Sequence, residues 1–221
     1  MKNILIYGAS GHSKMIVDII LKNKNYTIKG LVDSYKPIDE DIYGYKVIGN
    51  LVTLPKLIKE HNIHGIVIGI GDNSTRKKAY DNIANIAPDL EFVSIVHPSV
   101  ILAHDITIPK GTVIMAGVVI NANAKVGEFC ILNTKSSLGH DSNMSDFSSL
   151  ASGTIIGGNV QIGYCSAICL SASITQNISI GKHTVIGAGS LVLKSIGDCK
   201  QAFGIPINTI KDREPDSKYL G

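Results

Sequence analysis

The sequence predicts a small Rossmann-like α/β unit followed by a parallel β-helix of hexapeptide repeats, and three observations carry that prediction. From Val96 to Val192 every sixth residue is Val, Ile, Leu or Met without a gap, running Val96, Leu102, Ile108, Ile114 and on to Ile180, Ile186 and Val192. On an α-helix, steps of six rotate by about 240° and scatter over three faces, whereas on extended chain they share one face. Ahead of residue 95 an apolar strand runs into a glycine turn and then a helix-period apolar face, the opening of a βαβ unit. Aromatic residues make up only 5% of the chain and Trp is absent, as expected of narrow coils with no room for large rings.

The elements follow in order. Asn3 to Tyr7 is an apolar strand and Gly8-Ala9-Ser10-Gly11-His12 a turn; Met15, Ile16, Ile19 and Ile20 mark the buried face of a helix. A second strand, Tyr26 to Val32, ends at Asp33, and Pro37 to Asn50 reads as irregular. Pro55 to His61 reads as helix and Gly65 to Ile70 as a third strand running into Gly71-Asp72-Asn73. Ser74 is the expected N-cap of a helix from Thr75 to Ile86, and Phe92 to Val96 leads into the first coil. Strand, helix, strand with a glycine turn is the start of a nucleotide-binding sheet, although this one is too short for a full dinucleotide domain.

Within the repeat, the position four after each aliphatic is small or β-branched, as in Thr112, Ser136, Ser142, Ser166 and Thr184, which suits the inside of a tight corner. The residue just after the aliphatic is often Gly or Asn, as in Gly127, Asn133, Gly139, Gly157 and Gly163, where a left-handed torsion is expected. Three such sides make one triangular coil, and the uninterrupted run gives about five and a half coils stacked at about 4.8 Å each. The expected boundaries are 1–95 for the α/β unit, 96–197 for the solenoid and 198–221 for a polar tail that leaves the repeat.

Composition narrows the function classes. A net charge of +3 on 221 residues is too mild for nucleic acid but suits an anionic small ligand. Cys130, Cys165, Cys169 and Cys199 form neither a zinc-binding set nor a disulfide framework, so no metal is expected. No apolar run reaches the roughly 18 residues of a membrane span, and the start is too short for a signal sequence, so a cytoplasmic, reduced protein is expected.

The chemistry centres on one residue. His140 is the only histidine in the middle of the solenoid, two residues past Leu138 and therefore near a corner where its ring can face outward. Imidazole suits general-base work near neutral pH, and Asp141 beside it can hold the second ring nitrogen. From the residues alone, His140 is either this base or an exposed corner residue. Gly8, Ser10, Gly11 and His12 form the turn where backbone amides and a helix dipole receive phosphate, and Asp33 ends the strand where ribose or base contacts are commonly made.

Taken together, Gly8-Ala9-Ser10-Gly11-His12, Ile70-Gly71-Asp72-Asn73 with Arg76-Lys77-Lys78, Leu132-Asn133-Thr134, Gly139-His140-Asp141, Gly157-Gly158-Asn159-Val160 and Gly204-Ile205-Pro206 resemble one family. It is that of the bacterial hexapeptide-repeat sugar acetyltransferases: the nucleotide-linked 4-amino-sugar N-acetyltransferases of the bacillosamine and perosamine routes, and the sialic-acid O-acetyltransferases. The resemblance covers nearly the whole chain. It implies a left-handed β-helix, a homotrimer with active sites between neighbouring prisms, acetyl-CoA as co-substrate and a nucleotide-linked amino sugar as acceptor, with transfer to a sugar hydroxyl as the alternative. It further implies His140 as base with Asp141 as its partner, and Gly158 as oxyanion donor. Asn133 and Ala188 fall near the acetyl donor, and Gly8, Ser10, Gly11, His12, Asp33, Gly71 and Asn73 bind the nucleotide sugar.

Two positions depart from the family pattern. Ser149 stands where relatives carry a second histidine, and Asn208 where a lysine near the CoA phosphates is usual, leaving Lys200 or Lys211 to substitute. Other uses of the solenoid fit less well. A zinc-dependent carbonic anhydrase needs three groove histidines, but His97 and His104 lie at the start of the repeat and His183 near its end. An oxidoreductase lacks its glycine fingerprint, and a noncatalytic scaffold leaves the His140–Asp141 pair and the glycine turn without a purpose.

Overall fold

The computed structural model describes residues 1–219 and divides into two compact units, Met1–Pro98 and Ser99–Gly221. In the first, β1 (Lys2–Tyr7), β2 (Tyr26–Val32), β3 (Asp41–Ile42), β4 (Tyr45–Gly49), β5 (Gly65–Ile68) and β6 (Glu91–Phe92) form one sheet in the order β3-β4-β2-β1-β5-β6. All neighbours are parallel except β3 and β4. The chain leaves β1 for β2 on one side and later for β5 on the other, so the strand order reverses at β1 and opens a crevice at its carboxyl end.

Helix α1 (Gly11–Asn23) buries Ser13, Ile16, Val17, Ile19 and Ile20, whereas Met15, expected on that face, is 38% exposed. Ser13 takes the buried place because its hydroxyl donates to the Gly8 carbonyl at 2.6 Å and the Gly69 carbonyl at 3.2 Å. Helices α2 (Leu54–Glu60) and α3 (Asn73–Ile86) follow. The cap of α3 is Asp72 rather than Ser74: one carboxylate oxygen accepts the Thr75 N–H at 2.9 Å together with the Ser74 and Thr75 hydroxyls, and a charged acceptor is the stronger cap. The stretch expected to be irregular contains the β3–β4 hairpin, whose Tyr43 and Gly44 both have positive φ, as a two-residue primed turn requires.

The second unit is a three-sided parallel β-helix. One face stacks Ile101–Leu102, Val119–Ile120, Ser137–Leu138, Ile155–Ile156, Ser173–Ile174 and Leu191–Val192; a second runs from Val113–Ile114 to Val185–Ile186; a third stacks Lys125–Val126, Asn143–Met144, Gln161–Ile162 and Ser179–Ile180. Partners such as Ile162 and Ile180 are three hexapeptides apart, so residues 18 apart lie directly above one another. The small residues four after each aliphatic are fully inside: Thr112, Ser142, Ser148, Ser166 and Thr184 are all 0% exposed. The hydroxyls of these five are satisfied, as where Ser142 donates to the Gly157 carbonyl at 2.9 Å and accepts the Val160 N–H at 3.0 Å, whereas Ser136 Oγ, at the same repeat position, has no partner.

Three expectations are corrected. Ile108 lies in no strand, so the run of strands is interrupted between Leu102 and Val113; Pro109 beside it has no N–H to give to a ladder. The left-handed torsion falls three residues after the aliphatic, at Asn123, Phe129, Lys135, Asp141, Phe147, Asn159 and their successors, and not immediately after it. The glycines that do follow the aliphatic directly serve close approach instead: a Cβ on Gly157 would sit 2.7 Å from the Gln176 nitrogen, and one on Gly163 2.5 Å from the Gly181 carbonyl carbon. Beyond the last coil, Lys200–Gly204 continues the stack by pairing with Val185 and Ile186 and folds back on Ile207–Asp212 as a hairpin, so this part of the segment expected to leave the repeat extends one of its faces.

Candidate active site

The crevice of the first unit is a cavity of about 210 Å³ lined by Tyr7, Gly8, Ser10, Asp33, Tyr35 and Gly71, among others. Gly8 has φ +106°, and a Cβ there would press on the Gly69 carbonyl at 3.1 Å, so the turn after β1 needs glycine. Ser10 is the N-cap of α1 but its side chain does not cap, and the first turn holds no acidic residue. The amino end of α1 therefore keeps its positive field for an anion. Asp33 fixes this geometry. One oxygen accepts the Ala9 N–H at 2.8 Å and the other the N–H groups of Tyr35 and Lys36 at 2.8 and 3.0 Å, tying the glycine turn to the end of β2.

Three predicted residues of this unit lie elsewhere. Gly11 and His12 begin α1 and do not line the cavity, and Asn73 is buried behind it, accepting Arg76 Nη2 at 2.7 Å. Arg76, which was no candidate, is fully buried and donates Nη1 to the Gly71 carbonyl at 2.9 Å. A fixed guanidinium behind the glycine turns favours an anionic ligand in front of them. His12 Nε2 is buried without a hydrogen-bond partner, and burial, helped by the Arg76 charge, lowers its pKa to about 4. At neutral pH it is an uncharged imidazole.

In the solenoid, His140 and Gly158 are 18 residues apart and stack at one corner in successive coils. The ring is well exposed. Its Nδ1 lies 2.7 Å from Asp141 Oδ2, and a Cβ on Gly158 would lie 2.5 Å from Nε2. Asp141 accepts the Nδ1 proton in the neutral ring, which leaves the Nε2 lone pair over Gly158 as the open acceptor. Asp141 sits at φ 59°, a torsion Asp tolerates better than most residues, and its carboxyl is held below the usual carboxylate range by His140 and then by Asn123. The Asn123 amide donates to Asp141 Oδ1 at 2.7 Å. No candidate list from the sequence contained Asn123; its 18-residue spacing from Asp141 was the available signal.

Asn133 and Ala188 occupy a different corner, between the second and first faces. Asn133 is half-buried and donates its amide to the Leu150 carbonyl of the next coil at 3.1 Å, as Asn121 does to the Leu138 carbonyl at 2.9 Å. Ala188 is exposed. The corner of His140 and Gly158 continues instead to Gln176 and Lys194, and Lys194 borders a cavity of about 360 Å³ with Leu193, Pro206, Ile207 and Ile210. Lys200 is ion-paired with Asp212, and Lys211 lies over the Phe203 ring. Ser149, at the departure from the family pattern, meets the Tyr219 hydroxyl at 3.2 Å. Among the described residues, no cluster of His, Cys, Asp and Glu could hold a metal ion, and no helix is long and apolar enough to cross a membrane.

Residues 3–83 match the model of the PglD N-terminal domain family. The first unit is thus similar to PglD N-terminal domains. The match of that domain and the repeat to solved structures extends over nearly the whole chain. Perosamine N-acetyltransferase from Caulobacter crescentus, solved with CoA and GDP-perosamine, superposes with a TM-score of 0.87 at 27% identity, covering 96% of this chain and 98% of that one. The acetyltransferase domain of PglB from Neisseria gonorrhoeae, solved with acetyl coenzyme A, gives 0.84 at 25% identity, covering 94% and 98%. UDP-N-acetylbacillosamine N-acetyltransferase of Bacillus subtilis is 32% identical over 118 residues, 52% of each chain, so the match spans about half the length of that relative. The two solved acetyltransferases thus cover more than nine-tenths of this chain, across both of its units.

Proposed function

We propose that the chain is an acetyl-CoA-dependent N-acetyltransferase acting on the amino group of a nucleotide-linked 4-amino sugar. The observation that carries this reading is the His140–Asp141 pair, whose free Nε2 lies over Gly158. His140 Nε2 takes the proton that the sugar amine loses as it attacks the thioester carbonyl, and the Asp141 carboxylate stabilises the resulting imidazolium. The Gly158 N–H, at the same corner, is the donor to the oxyanion of the tetrahedral intermediate, which then expels the CoA thiolate. Attack is direct: Cys130 and Cys165 are 0% and 6% exposed, and the half-buried Cys169 and Cys199 lie at corners other than that of His140.

The glycine turn, the open end of α1 and the buried Arg76 suit the diphosphate of the sugar nucleotide. Lys194, three coils beyond His140 on the same corner, takes the place of the missing lysine against the CoA phosphates. The assembly is a homotrimer. Its contact is the apolar face bearing Ile101 and Ile155, 64% and 58% exposed, whose edge carries His140. A second copy there supplies the other wall of the groove, and acetyl-CoA as donor sets the reaction in the cytoplasm.

The test is acetyl-CoA-dependent release of free CoA over a panel of nucleotide-linked 4-amino sugars and sialic acids, with the wild type beside His140→Ala. Turnover of an amino sugar that falls about a hundredfold or more in the variant is the expected outcome. Turnover of sialic acid alone would make the enzyme an O-acetyltransferase, and silence on every acceptor would leave a scaffold.

A further inference from the structure

The corner that carries His140 also carries a second column, one residue further along the chain: Asp105, Asn123, Asp141, Asn159 and Asn177, each 18 residues from the last. Asn123, Asp141, Asn159 and Asn177 all lie in the left-handed region. Polar side chains stacked this way usually pair with one another for the sake of the coil. The upper two do so, the Asn159 amide donating to the Asn177 carbonyl oxygen at 2.9 Å.

The lower members are arranged differently. Asp105 Oδ2 accepts the Asn123 backbone N–H at 2.8 Å, which fixes the Asn123 backbone from the coil below. The Asn123 side chain then donates Nδ2 to Asp141 Oδ1 at 2.7 Å, while Asp141 Oδ2 faces His140 Nδ1 at the same distance. A carboxylate only accepts, so the orientation of the amide is determined: Asn123 presents its N–H and not its carbonyl oxygen to Asp141. Both oxygens of Asp141 are thereby engaged, one by the amide and one by the imidazole.

We infer that Asn123 is a positioning residue for the base, acting through Asp141 in a line Asp105–Asn123–Asp141–His140. The inference rests on His140 being the base. The amide does two things there. It prevents the carboxylate from rotating about its exposed side chain, so that Oδ2 stays on Nδ1 and Nε2 stays over Gly158. It also keeps the place beside Asp141 neutral, so that the carboxylate facing Nδ1 meets no second negative charge. A carboxylate in place of the amide, at the same size, reverses both effects by setting two negative charges against each other.

The experiment is the pH dependence of kcat and of KM for acetyl-CoA in the wild type, His140→Ala, Asn123→Asp, Asn123→Ala and Asn177→Ala, with thermal unfolding of each. The expected result is an acid limb moved up by about one pH unit in Asn123→Asp and by less in Asn123→Ala. The kcat at pH 6.5 is expected to fall about tenfold and to recover at pH 9, with KM for acetyl-CoA within twofold throughout. Asn177→Ala, which breaks the equivalent ladder pair away from the base, is expected to leave the limb in place. Limbs that coincide in wild type and Asn123→Asp while His140→Ala is inactive overturn the line and leave the base standing. Activity surviving in His140→Ala overturns the base and the line with it. A pH-independent loss shared by the Asn123 and Asn177 variants makes the column structural only and equally overturns the proposal.

Discussion

Gly158→Ala isolates the base from the backbone donor beneath it, because alanine keeps the N–H and adds one methyl group. That methyl would stand 2.5 Å from His140 Nε2 and 2.6 Å from Cε1, so regaining an ordinary contact of 3.4 Å requires the ring to retreat by about 0.9 Å. The retreat lengthens the 2.7 Å bond to Asp141 or swings Nε2 off the place where an attacking amine presents its proton. A displacement of about 1 Å at a reacting group costs on the order of a hundredfold, or about 2.7 kcal/mol of barrier. Stability is expected to move by less than about 0.5 kcal/mol, since Gly158 is not among the residues with positive φ and the methyl meets an exposed side chain. The assay is kcat for CoA release together with the melting temperature, in Gly158→Ala and in Gly158→Ala combined with His140→Ala. Displacement acting through His140 predicts that the double variant is no slower than His140→Ala alone. A kcat within twofold of wild type in Gly158→Ala would refute the placement of Nε2 as the working acceptor.

Three further outcomes follow from the same geometry. His12 has a folded pKa of about 4 against an unfolded value of 6.5, so the unfolded chain takes up its proton first; stability on this account is whole above pH 6.5 and falls by about 3 kcal/mol on the way to pH 4. The unfolding free energy from urea titration should fall by that amount relative to His12→Asn on acidification, and parallel pH curves for the two would refute it. Gly163→Ala sets a methyl 2.5 Å from the Gly181 carbonyl carbon, backbone against backbone at a corner other than that of His140. It should cost about 1–3 kcal/mol in chemical denaturation while leaving kcat per folded molecule unchanged. Ile155→Asp places a charge on the exposed apolar face, and light scattering should register loss of the proposed trimer; a mass unchanged by the substitution would refute this face as the contact.

The fold was legible because one number, six, recurs in the aliphatic residues, and a coil that buries Met144, Leu150 and Ile156 at 0–3% exposure has no other way to satisfy that spacing. The number did not say which backbone torsion closes each corner. The glycines drew attention to the position after the aliphatic, yet they are there because neighbouring coils leave no room for a Cβ, and the left-handed residue lies two positions later as Asn, Asp, Phe, Lys, Cys, Ser, His or Gly. Aliphatic spacing also could not see that Pro109 breaks the ladder around Ile108. In the first unit the hairpin at Tyr43-Gly44 was overlooked for a related reason: its strands are two and five residues long and their alternation is too brief to stand out. At the candidate site, the pairing of His140 with Asp141 could be read from adjacency, and Gly158 came from the family pattern, but the stacking of the one on the other could not. Asn123 could not, because nothing about a lone asparagine suggests a role until residues 18 apart are set above one another; Arg76 was missed because charged residues are seldom fully buried.

That vertical superposition makes the length of the chain an address. A six-residue insertion between Asp141 and Gly157 would add one side to a coil and satisfy every rule of the repeat, yet it would carry Gly158, Gln176 and Lys194 round to another edge and leave His140 above a stranger. Eighteen residues inserted at the same point would bring the glycine back to the correct edge, about 4.8 Å too far along the axis. The fold tolerates growth in units of six, whereas the site tolerates none between its two halves. On the proposed mechanism, coils can be added to this chain below Asp105 and above Lys194, but not in the short span that keeps the proposed base and backbone donor one step apart.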